Sequence, residues 1–329
     1  MTDRNRFSCP DCDDHLSRRD FVRVVGSAAL AAGAAPLFVS PRSAAAAPTA
    51  KSTAETSVTE LYKALSDSQK KTICFPFDHD LRKKHSANWA ITEPAIGSDF
   101  YTAEQRELIR DILKAVSSED GYERFLRQMR DDHGGFETYH VALFGEPGTG
   151  KFEWELTGRH LTLRADGDSV DNMAFGGPIV YGHGAGDPKK NLFHYQTQQA
   201  NEVFRALDPK QVEQALVEKA PRESDVPLQG KEGKFPGIGV SELSSDQKEL
   251  VEKTIKVMLA PYRQEDVDEV LAILKAGGGL EQLHLAFYST GDLGGDKTWD
   301  IWRVEGPSFV WHFRGAPHVH TYVNIGLKG

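Results

Sequence analysis

Two segments of the chain repeat each other across a long distance. Residues 65–69 (LSDSQ) return as residues 207–211 (LDPKQ), and residues 102–109 (TAEQRELI) return as residues 244–251 (SSDQKELV). Both pairs are displaced by 142 positions, so one pattern occurs twice at a single spacing. Solenoid repeats are far shorter, at ~20–50 residues, so this period indicates a duplicated unit of domain size.

The repeat extends into later segments of the chain. Residues 140–144 (HVALF) recur as residues 284–288 (HLAFY), and Trp154 recurs as Trp302. The offset grows to 144 and then to 148, as insertions in loops would cause. We therefore expect two halves of one fold that are related by a pseudo-two-fold axis.

Apolar spacing and turn residues predict the same order of elements in both halves. In the first half the predicted helices cover residues 61–73, 102–116 and 121–130, and the predicted strands cover 138–144, 152–157 and 160–164. In the second half the predicted helices cover 211–219, 244–259 and 265–275, and the predicted strands cover 283–288, 299–304, 309–314 and 318–325. Residues 171–188 are predicted as a loop, followed by a helix over 192–207. Helices and strands come in runs, with the strands forming antiparallel meanders, which favours an α+β fold.

The first 46 residues have the pattern of an export signal. Arg18 and Arg19 fit the twin-arginine motif, the mildly apolar residues 24–39 follow, and small residues at 43–47 suit a signal peptidase. The apolar stretch is shorter than the ~20 residues that span a bilayer. We expect recognition by the twin-arginine export machinery, removal of residues 1–46, and a periplasmic or secreted protein without a membrane span.

The mature chain is expected to divide into three parts. Residues 47–60 are polar and are predicted to be a disordered tether. Residues 61–200 form the first half and residues 201–329 the second, and residues 61–329 together make one domain. Cys74 is the only cysteine that follows the leader, so the fold must rest on its core rather than on an internal disulfide.

The charge of the chain excludes one class of partner. The formal net charge is −9, and no block of lysine and arginine follows the leader. Nucleic-acid binding relies on clustered positive charge, so we expect no nucleic-acid partner.

A glycine-rich loop at residues 145–151 (GEPGTGK) matches the first part of a phosphate-binding loop. The hydroxyl residue that should follow the lysine is replaced by Phe152, and residues 152–157 alternate like a strand where a helix is required. The corresponding loop at 290–296 keeps its glycines without the motif. These features favour a hairpin turn, and no nucleotide cofactor is expected.

Histidines cluster on the last two predicted strands. His318 and His320 share one face of the final strand, and His312 and Arg314 share one face of the strand before it. A three-residue connection at 315–317 predicts that Arg314 pairs with His318 and His312 with His320. Three imidazoles within reach of one ion suit Zn²⁺, Cu²⁺ or Fe²⁺, and an open fourth position would supply a Lewis acid or an activated water.

His160 stands in the corresponding strand of the first half, and two-fold packing would bring it towards the other histidines. It would then act as a fourth ligand or as an acid or base. Unlike His140 and His284, which occupy matching positions and suggest a shared packing role, His160 has Ser308 as its counterpart. The alternative is that these imidazoles form hydrogen bonds on a half-buried sheet and bind nothing.

The chain resembles a known bacterial family, the domain of unknown function 3500 family, over roughly residues 65–326. The resemblance rests on residues 80–82 (DLR), 102–106 (TAEQR), 144–147 (FGEP), 158–160 (GRH) and 318–320 (HVH), together with Trp89, Gly121, Tyr122, Tyr139, Trp154, Gly306 and Pro307. The family carries no established activity, but the resemblance points independently to His160, His318 and His320.

The chain departs from the family pattern at three places near these histidines. Members carry Gly-His-His where residues 158–160 read Gly-Arg-His, a glutamate where His312 stands, and an aromatic-Arg-Asp stretch where residues 322–324 read Tyr-Val-Asn. A site built from the family pattern would therefore be altered in this chain.

Two functions remain open on the sequence alone. The first is an exported metal-binding protein, either a metal-dependent hydrolase or an oxidoreductase, in which Arg82 or Arg314 holds an anionic or carbonyl group of a small-molecule substrate. The second is a non-catalytic envelope protein that binds a small molecule or a protein partner between its halves.

Overall fold

The computed structural model describes residues 47–185, 187–292 and 294–328. The predicted export signal, with Arg18 and Arg19, lies outside these residues. Within the described part of the chain, no helix is both long enough and apolar enough to cross a membrane.

The described residues form eight α-helices and eleven strands, which confirms a mixed α+β fold. The helices are α1 Thr53–Ala64, α2 Asp67–Ile73, α3 Ala103–Ala115, α4 Glu119–His133, α5 His194–Arg205, α6 Pro209–Ala215, α7 Ser245–Leu259 and α8 Gln264–Ala276. The strands are β1 Cys74–Phe75, β2 His140–Gly145, β3 Phe152–Gly158, β4 Leu161–Ala165, β5 Ile179–His183, β6 Leu216–Val217, β7 Ile238–Gly239, β8 His284–Tyr288, β9 Ile301–Gly306, β10 Phe309–Arg314 and β11 Val319–Ile325.

The same N-terminal capping motif occurs at four helices. Ser66, Thr102, Asp208 and Ser244 each cap a helix, and the glutamine three residues later bonds back to the cap, which satisfies two otherwise free backbone N–H groups. The glutamines also meet in pairs. Gln69 and Gln105 exchange amide hydrogen bonds of 2.8 and 3.1 Å, and Gln211 and Gln247 exchange bonds of 3.1 and 2.7 Å.

The strands form one mixed sheet in the order β1-β2-β3-β4-β5-β11-β10-β9-β8-β6, with β7 beside β8. Two meanders, β2-β3-β4 and β8-β9-β10, lie on either side of a central antiparallel pair, β5 and β11. At each outer edge a short strand pairs in parallel, β1 with β2 and β6 with β8. The strand that follows β4 therefore meets the last strand of the chain at the centre of the sheet.

The sheet is covered on both faces, by different kinds of structure. One face packs on the helices and forms the main core, which includes Val58, Ile112, Phe125, Met129, Trp154, Leu163, Tyr181, Trp302, Trp311, Val319 and Val323. The other face is covered by loop residues such as Ala87, Ile91 and Val226. Because strand side chains alternate, the glutamate, arginine and histidine side chains of β3, β4, β9, β10 and β11 face these loops, and all of them except the partly exposed Arg314 are buried there.

Two predictions about local structure are wrong. The predicted tether contains α1, whose Ala54, Val58 and Leu61 are fully buried. Its apolar face is narrow, and burial against α3 supplies the stability that its composition does not indicate. The predicted loop at 171–188 contains β5, a short apolar run between glycines that becomes a strand because it has partners on both sides.

Candidate metal centre

Three histidine side chains converge where the two halves meet. The candidate ligand nitrogens of His160, His318 and His320 all lie within 4.8 Å of one another. The ring centroids are 5.0 Å apart for His160 and His318, 4.9 Å for His160 and His320, and 4.7 Å for His318 and His320. All three residues are buried, with exposed fractions of 7% or less. This triad can hold a metal ion.

His160 is held in an unusual backbone conformation between β3 and β4. Its φ angle is 57°, in the left-handed region that non-glycine residues seldom occupy, and such conformations concentrate at functional sites. Its N–H donates to the carbonyl oxygen of Ala87 at 2.5 Å. The side chain lies against Gly182 of β5, where a Cβ would stand only 2.2 Å from the carbonyl oxygen of Val319. Glycine at 182 therefore permits the close approach of β5 and β11 beside the triad.

His320 is placed by the register of β10 and β11, which differs from the prediction, and His318 lies in the turn just before β11. Arg314 is opposite His320, and His312 is opposite Tyr322. This register makes the connection two residues longer than expected, and Gly315 donates to the carbonyl oxygen of Asp300 just after the end of β10. A shift of two residues keeps every side chain on its predicted face but changes its neighbours. His312 is thereby moved away from His320.

Two carboxylates, one buried and one partly exposed, orient two of the three imidazoles. Asp132 Oδ2 lies 2.7 Å from His160 Nδ1, and Glu223 Oε1 lies 2.8 Å from His320 Nδ1. A ring that donates its Nδ1–H to a carboxylate carries its lone pair on Nε2. His160 Nε2 is buried and has no hydrogen-bond partner, and His320 Nε2 is 3.0 Å from His318 Nε2. The lone pair of His160 Nε2 is therefore available to a cation in the centre, whereas a cation bound to His320 Nε2 would replace the contact between His320 and His318.

Asp132 is itself fixed by its surroundings at the end of α4. Its Oδ1 accepts from the backbone N–H of Gly184 at 2.8 Å, and its Oδ2 accepts from Gln128 Nε2 at 2.8 Å. A Cβ at residue 184 would lie 2.8 Å from Asp132 Oδ1 and 3.2 Å from His160 Cε1. The helix end, the turn after β5 and the imidazole thus pack as one rigid group.

The electrostatic surroundings keep the imidazoles neutral. Burial, with repulsion from His160 and Arg314, lowers the pKa of His318 to about 3. Burial, with repulsion from Arg314, lowers the pKa of His320 well below its usual value. Burial also lowers the pKa of His160, although the carboxylate of Asp132 opposes this shift. Neutral imidazole is the form that binds metal, so near pH 7 all three rings are in the ligand state.

His312 does not belong to the triad. It is buried, and its Nδ1 accepts a hydrogen bond of 3.2 Å from Arg303 Nε. Its ring centroid lies 6.3 Å from that of Tyr288. Burial and the charge of Arg303 lower the pKa of His312 well below its usual value, so it is a neutral acceptor.

The two predicted substrate-binding arginines lie in different surroundings. Arg82 belongs to a charged cluster in the first half, where it contacts Glu153 at 3.0 Å and donates to the carbonyl oxygen of Phe77. Arg314 lies beside the triad, opposite His320, and its Nε is 3.0 Å from Glu223 Oε2. The side chains of Arg314 and Glu223 are 16% and 21% exposed, so they mark the solvent side of the triad.

The sequence reasoning missed Asp132 and Glu223. One feature of the sequence could have identified Asp132: an acid in the last turn of a helix lies at the negative end of the helix dipole and needs another partner. Glu223 carried none, since it lies in a long loop rich in proline and glycine whose path depends on the sheet beneath it.

The fold and the site define a mixed α+β protein with a three-histidine centre that can hold a metal ion. The model of the family described as "Protein of unknown function (DUF3500)" matches residues 47–324, and the chain belongs to this family. No curated protein and no solved structure matches the chain.

Proposed function

We propose that the protein binds one divalent transition metal through His160, His318 and His320. The observation that carries this proposal is the convergence of three buried neutral imidazoles, one with an unpartnered Nε2. A buried acceptor without a partner costs free energy, and a cation at the centre would remove that cost. Asp132 and Glu223 would serve as the carboxylates that orient metal-bound imidazoles and raise their basicity.

We propose zinc as the metal and hydrolysis as the reaction. Three histidine ligands with an open fourth position are a known arrangement for catalytic zinc, which supplies a Lewis acid and a bound water of lowered pKa. Arg314 lies on the solvent side of the triad, where its guanidinium would hold an anionic or carbonyl group of the substrate. Bound copper or iron would instead favour an oxidoreductase, because zinc has no redox chemistry.

Metal content tests the proposal directly. Protein purified without added metal and without chelator should contain about one metal ion per chain by mass spectrometry, and a His318→Ala/His320→Ala variant should contain almost none. His133→Ala is the matched control, because His133 is an exposed histidine at the end of α4. Equal and negligible metal content in the wild type and the double variant would contradict the proposal.

The second candidate is a non-catalytic envelope protein that binds a small molecule or a protein partner between its two halves. The deep burial of the triad favours it, because a substrate would need a path to the centre. This candidate predicts that chelators and added Zn²⁺ or Cu²⁺ leave the thermal stability unchanged.

Export through the twin-arginine pathway to the periplasm or the medium remains a proposal, supported by Arg18 and Arg19 in the motif. A variant with both arginines changed to lysine should stay in the cytoplasmic fraction. Normal export of that variant would contradict the assignment.

We also propose that the fold is an internal duplication, with a pseudo-two-fold axis between β5 and β11. The mirrored strand order and the paired glutamine contacts support this proposal. An experimental structure in which β2-β3-β4 does not superpose on β8-β9-β10 would contradict it.

A further inference from the structure

Two arginines neighbour the triad, one from each half of the chain. Arg314 pairs with His320 across β10 and β11, and its Nε lies 3.0 Å from Glu223 Oε2. Arg159 directly precedes His160 in the turn between β3 and β4, and it is half-buried. Each of the two imidazoles that a carboxylate orients therefore has an arginine as its neighbour, either in the sheet or in the chain.

The backbone of Arg159 is fixed by the residues that also hold His160. Its carbonyl oxygen accepts hydrogen bonds from the Tyr139 hydroxyl at 2.6 Å and from Gln128 Nε2 at 3.0 Å. Gln128 Nε2 also donates to Asp132, the carboxylate that orients His160. The base of the Arg159 side chain thus belongs to the same hydrogen-bonded group as the imidazole beside it.

The positive charges of both arginines act on all three imidazoles. Burial is the main cause of the lowered pKa values of His160, His318 and His320, and the charges of Arg159 and Arg314 lower each of these values further. Repulsion between charges weakens with distance, so both guanidinium groups lie close to the triad.

The charged side chains around the rings balance one another. Arg159 and Arg314 contribute one positive charge each, and the carboxylates of Asp132 and Glu223 contribute one negative charge each. A divalent metal ion at the triad would add two positive charges in a buried place, where uncompensated charge is costly. The ligand that restores neutrality there carries two negative charges.

We propose that the substrate is a phosphate monoester, which Arg159 and Arg314 hold at the metal ion. This inference rests on the proposed metal centre. A phosphate monoester carries about 1.5 to 2 negative charges near pH 7, and its terminal oxygens can contact a metal ion and two guanidinium groups at once. In its hydrolysis, water adds to phosphorus, the bond from phosphorus to the ester oxygen breaks, and one proton of the water passes to that oxygen. The products are an alcohol and inorganic phosphate, so inorganic phosphate should bind to the same groups.

Calorimetric titration of the zinc-loaded, full-length protein with inorganic phosphate tests the inference, after the zinc content of each sample has been measured by mass spectrometry. We expect phosphate to bind to the wild type, and acetate, which carries a single negative charge, to bind at least about tenfold more weakly. Arg159→Gln and Arg314→Gln should each retain zinc and weaken phosphate binding about tenfold, because each variant loses a charge-assisted hydrogen bond to the ligand. Arg205→Gln is the matched control, since Arg205 is exposed at the end of α5, and it should bind phosphate as the wild type does.

The outcomes separate this inference from the metal centre on which it rests. If the wild type binds no zinc, the metal centre and the phosphate site both fail. If zinc binds but phosphate does not, or if acetate binds as tightly as phosphate, the phosphate site alone is overturned. The same conclusion follows if both arginine variants retain zinc and bind phosphate as the wild type does. Should either variant lose zinc, the comparison of phosphate with acetate in the wild type decides.

Discussion

Two buried polar clusters lie on the loop-covered face of the sheet, and they are built on opposite principles. In the first half, the guanidinium of Arg164 is surrounded by the carboxylates of Glu153 and Glu155 and donates to the carbonyl oxygens of Arg82, Lys84 and Pro178. At the centre of the sheet, the three imidazoles of the triad converge, and His160 Nε2 has no hydrogen-bond partner.

The difference between the two clusters is whether the chain itself supplies a positive charge. Arg164 supplies a positive charge to the buried carboxylates of Glu153 and Glu155, so the chain itself provides the cation of this cluster, although Glu155 Oε2 has no hydrogen-bond partner. At the triad the orienting carboxylates bond the outer nitrogens of His160 and His320, so under the proposed function a cation at the centre would supply the positive charge. The proposed metal centre therefore rests on the convergence of three imidazoles, and not on buried charge or on a single atom without a partner.

The largest expected effect follows from disrupting the cluster around Arg164. Arg164→Met leaves Glu153 and Glu155 buried without their main partner, and we expect the free energy of unfolding to fall by about 3 to 5 kcal/mol. Urea denaturation followed by tryptophan fluorescence measures this change. Adding Glu155→Gln to the variant should restore part of the loss. A single variant within about 1 kcal/mol of the wild type would show that the cluster is not structural.

The next largest effect is the stabilisation of the protein by zinc bound at the triad. At zinc concentrations ~100-fold above the dissociation constant, binding should stabilise the wild type by about 2.7 kcal/mol and raise its melting temperature by about 5 to 10 °C. His160→Ala removes one of three ligands and should abolish this increase. The melting temperatures of chelator-treated protein with and without Zn²⁺ provide the measurement, with His133→Ala as the control. A zinc-induced increase that survives in His160→Ala would place the metal elsewhere.

A smaller effect should follow from a change in the carboxylate that orients His160. Asp132→Asn keeps the shape of the side chain but removes its charge, and we expect metal affinity to fall about tenfold. Competition with a fluorescent zinc chelator measures the affinity. Asp131→Asn, at the adjacent and more exposed acid, should leave the affinity unchanged. Equal effects of the two variants would indicate a general change of surface charge instead of a specific contact.

The smallest effect should come from the histidine that the triad excludes. His312→Asn retains an acceptor for Arg303 but loses part of the ring, and we expect the free energy of unfolding to fall by about 1 kcal/mol. Metal content and the zinc-induced increase in melting temperature should equal those of the wild type. Loss of metal in this variant would show that His312 is a ligand and that the distinction between the two kinds of cluster fails.

Much of the fold was predictable because its signals are local. The capping residues, the helical spacing of α3, α4, α7 and α8, and the alternation in β9, β10 and β11 each depend on a few neighbouring residues. Strand β5 was missed because its short apolar run resembles a loop until β4 and β11 provide hydrogen-bond partners. Helix α1 was missed for a related reason, since its helical state depends on packing against α3.

The candidate site was predictable only in part. Alternation correctly placed His312 and His320 on one face of the sheet, whereas His318 lies in the turn before β11, and the partner of each strand residue depends on how many residues the turn uses. The prediction that His160 lies near the other histidines relied on the repeat, and the structure brings His160, His318 and His320 together. The second carboxylate, Glu223, comes from a loop whose path no periodicity describes.

The sequence by itself determined the α+β class, the order of most elements and the faces of the final strands, because these follow from side-chain spacing along a single segment. The tertiary structure decided which histidines meet. That choice depends on strand register, on the close approach at Gly182 and on the loops that cover the sheet. These features are contacts between residues far apart in the chain, and only packing of the whole sheet brings His160 from the first half against His318 and His320 from the last strand and the turn before it.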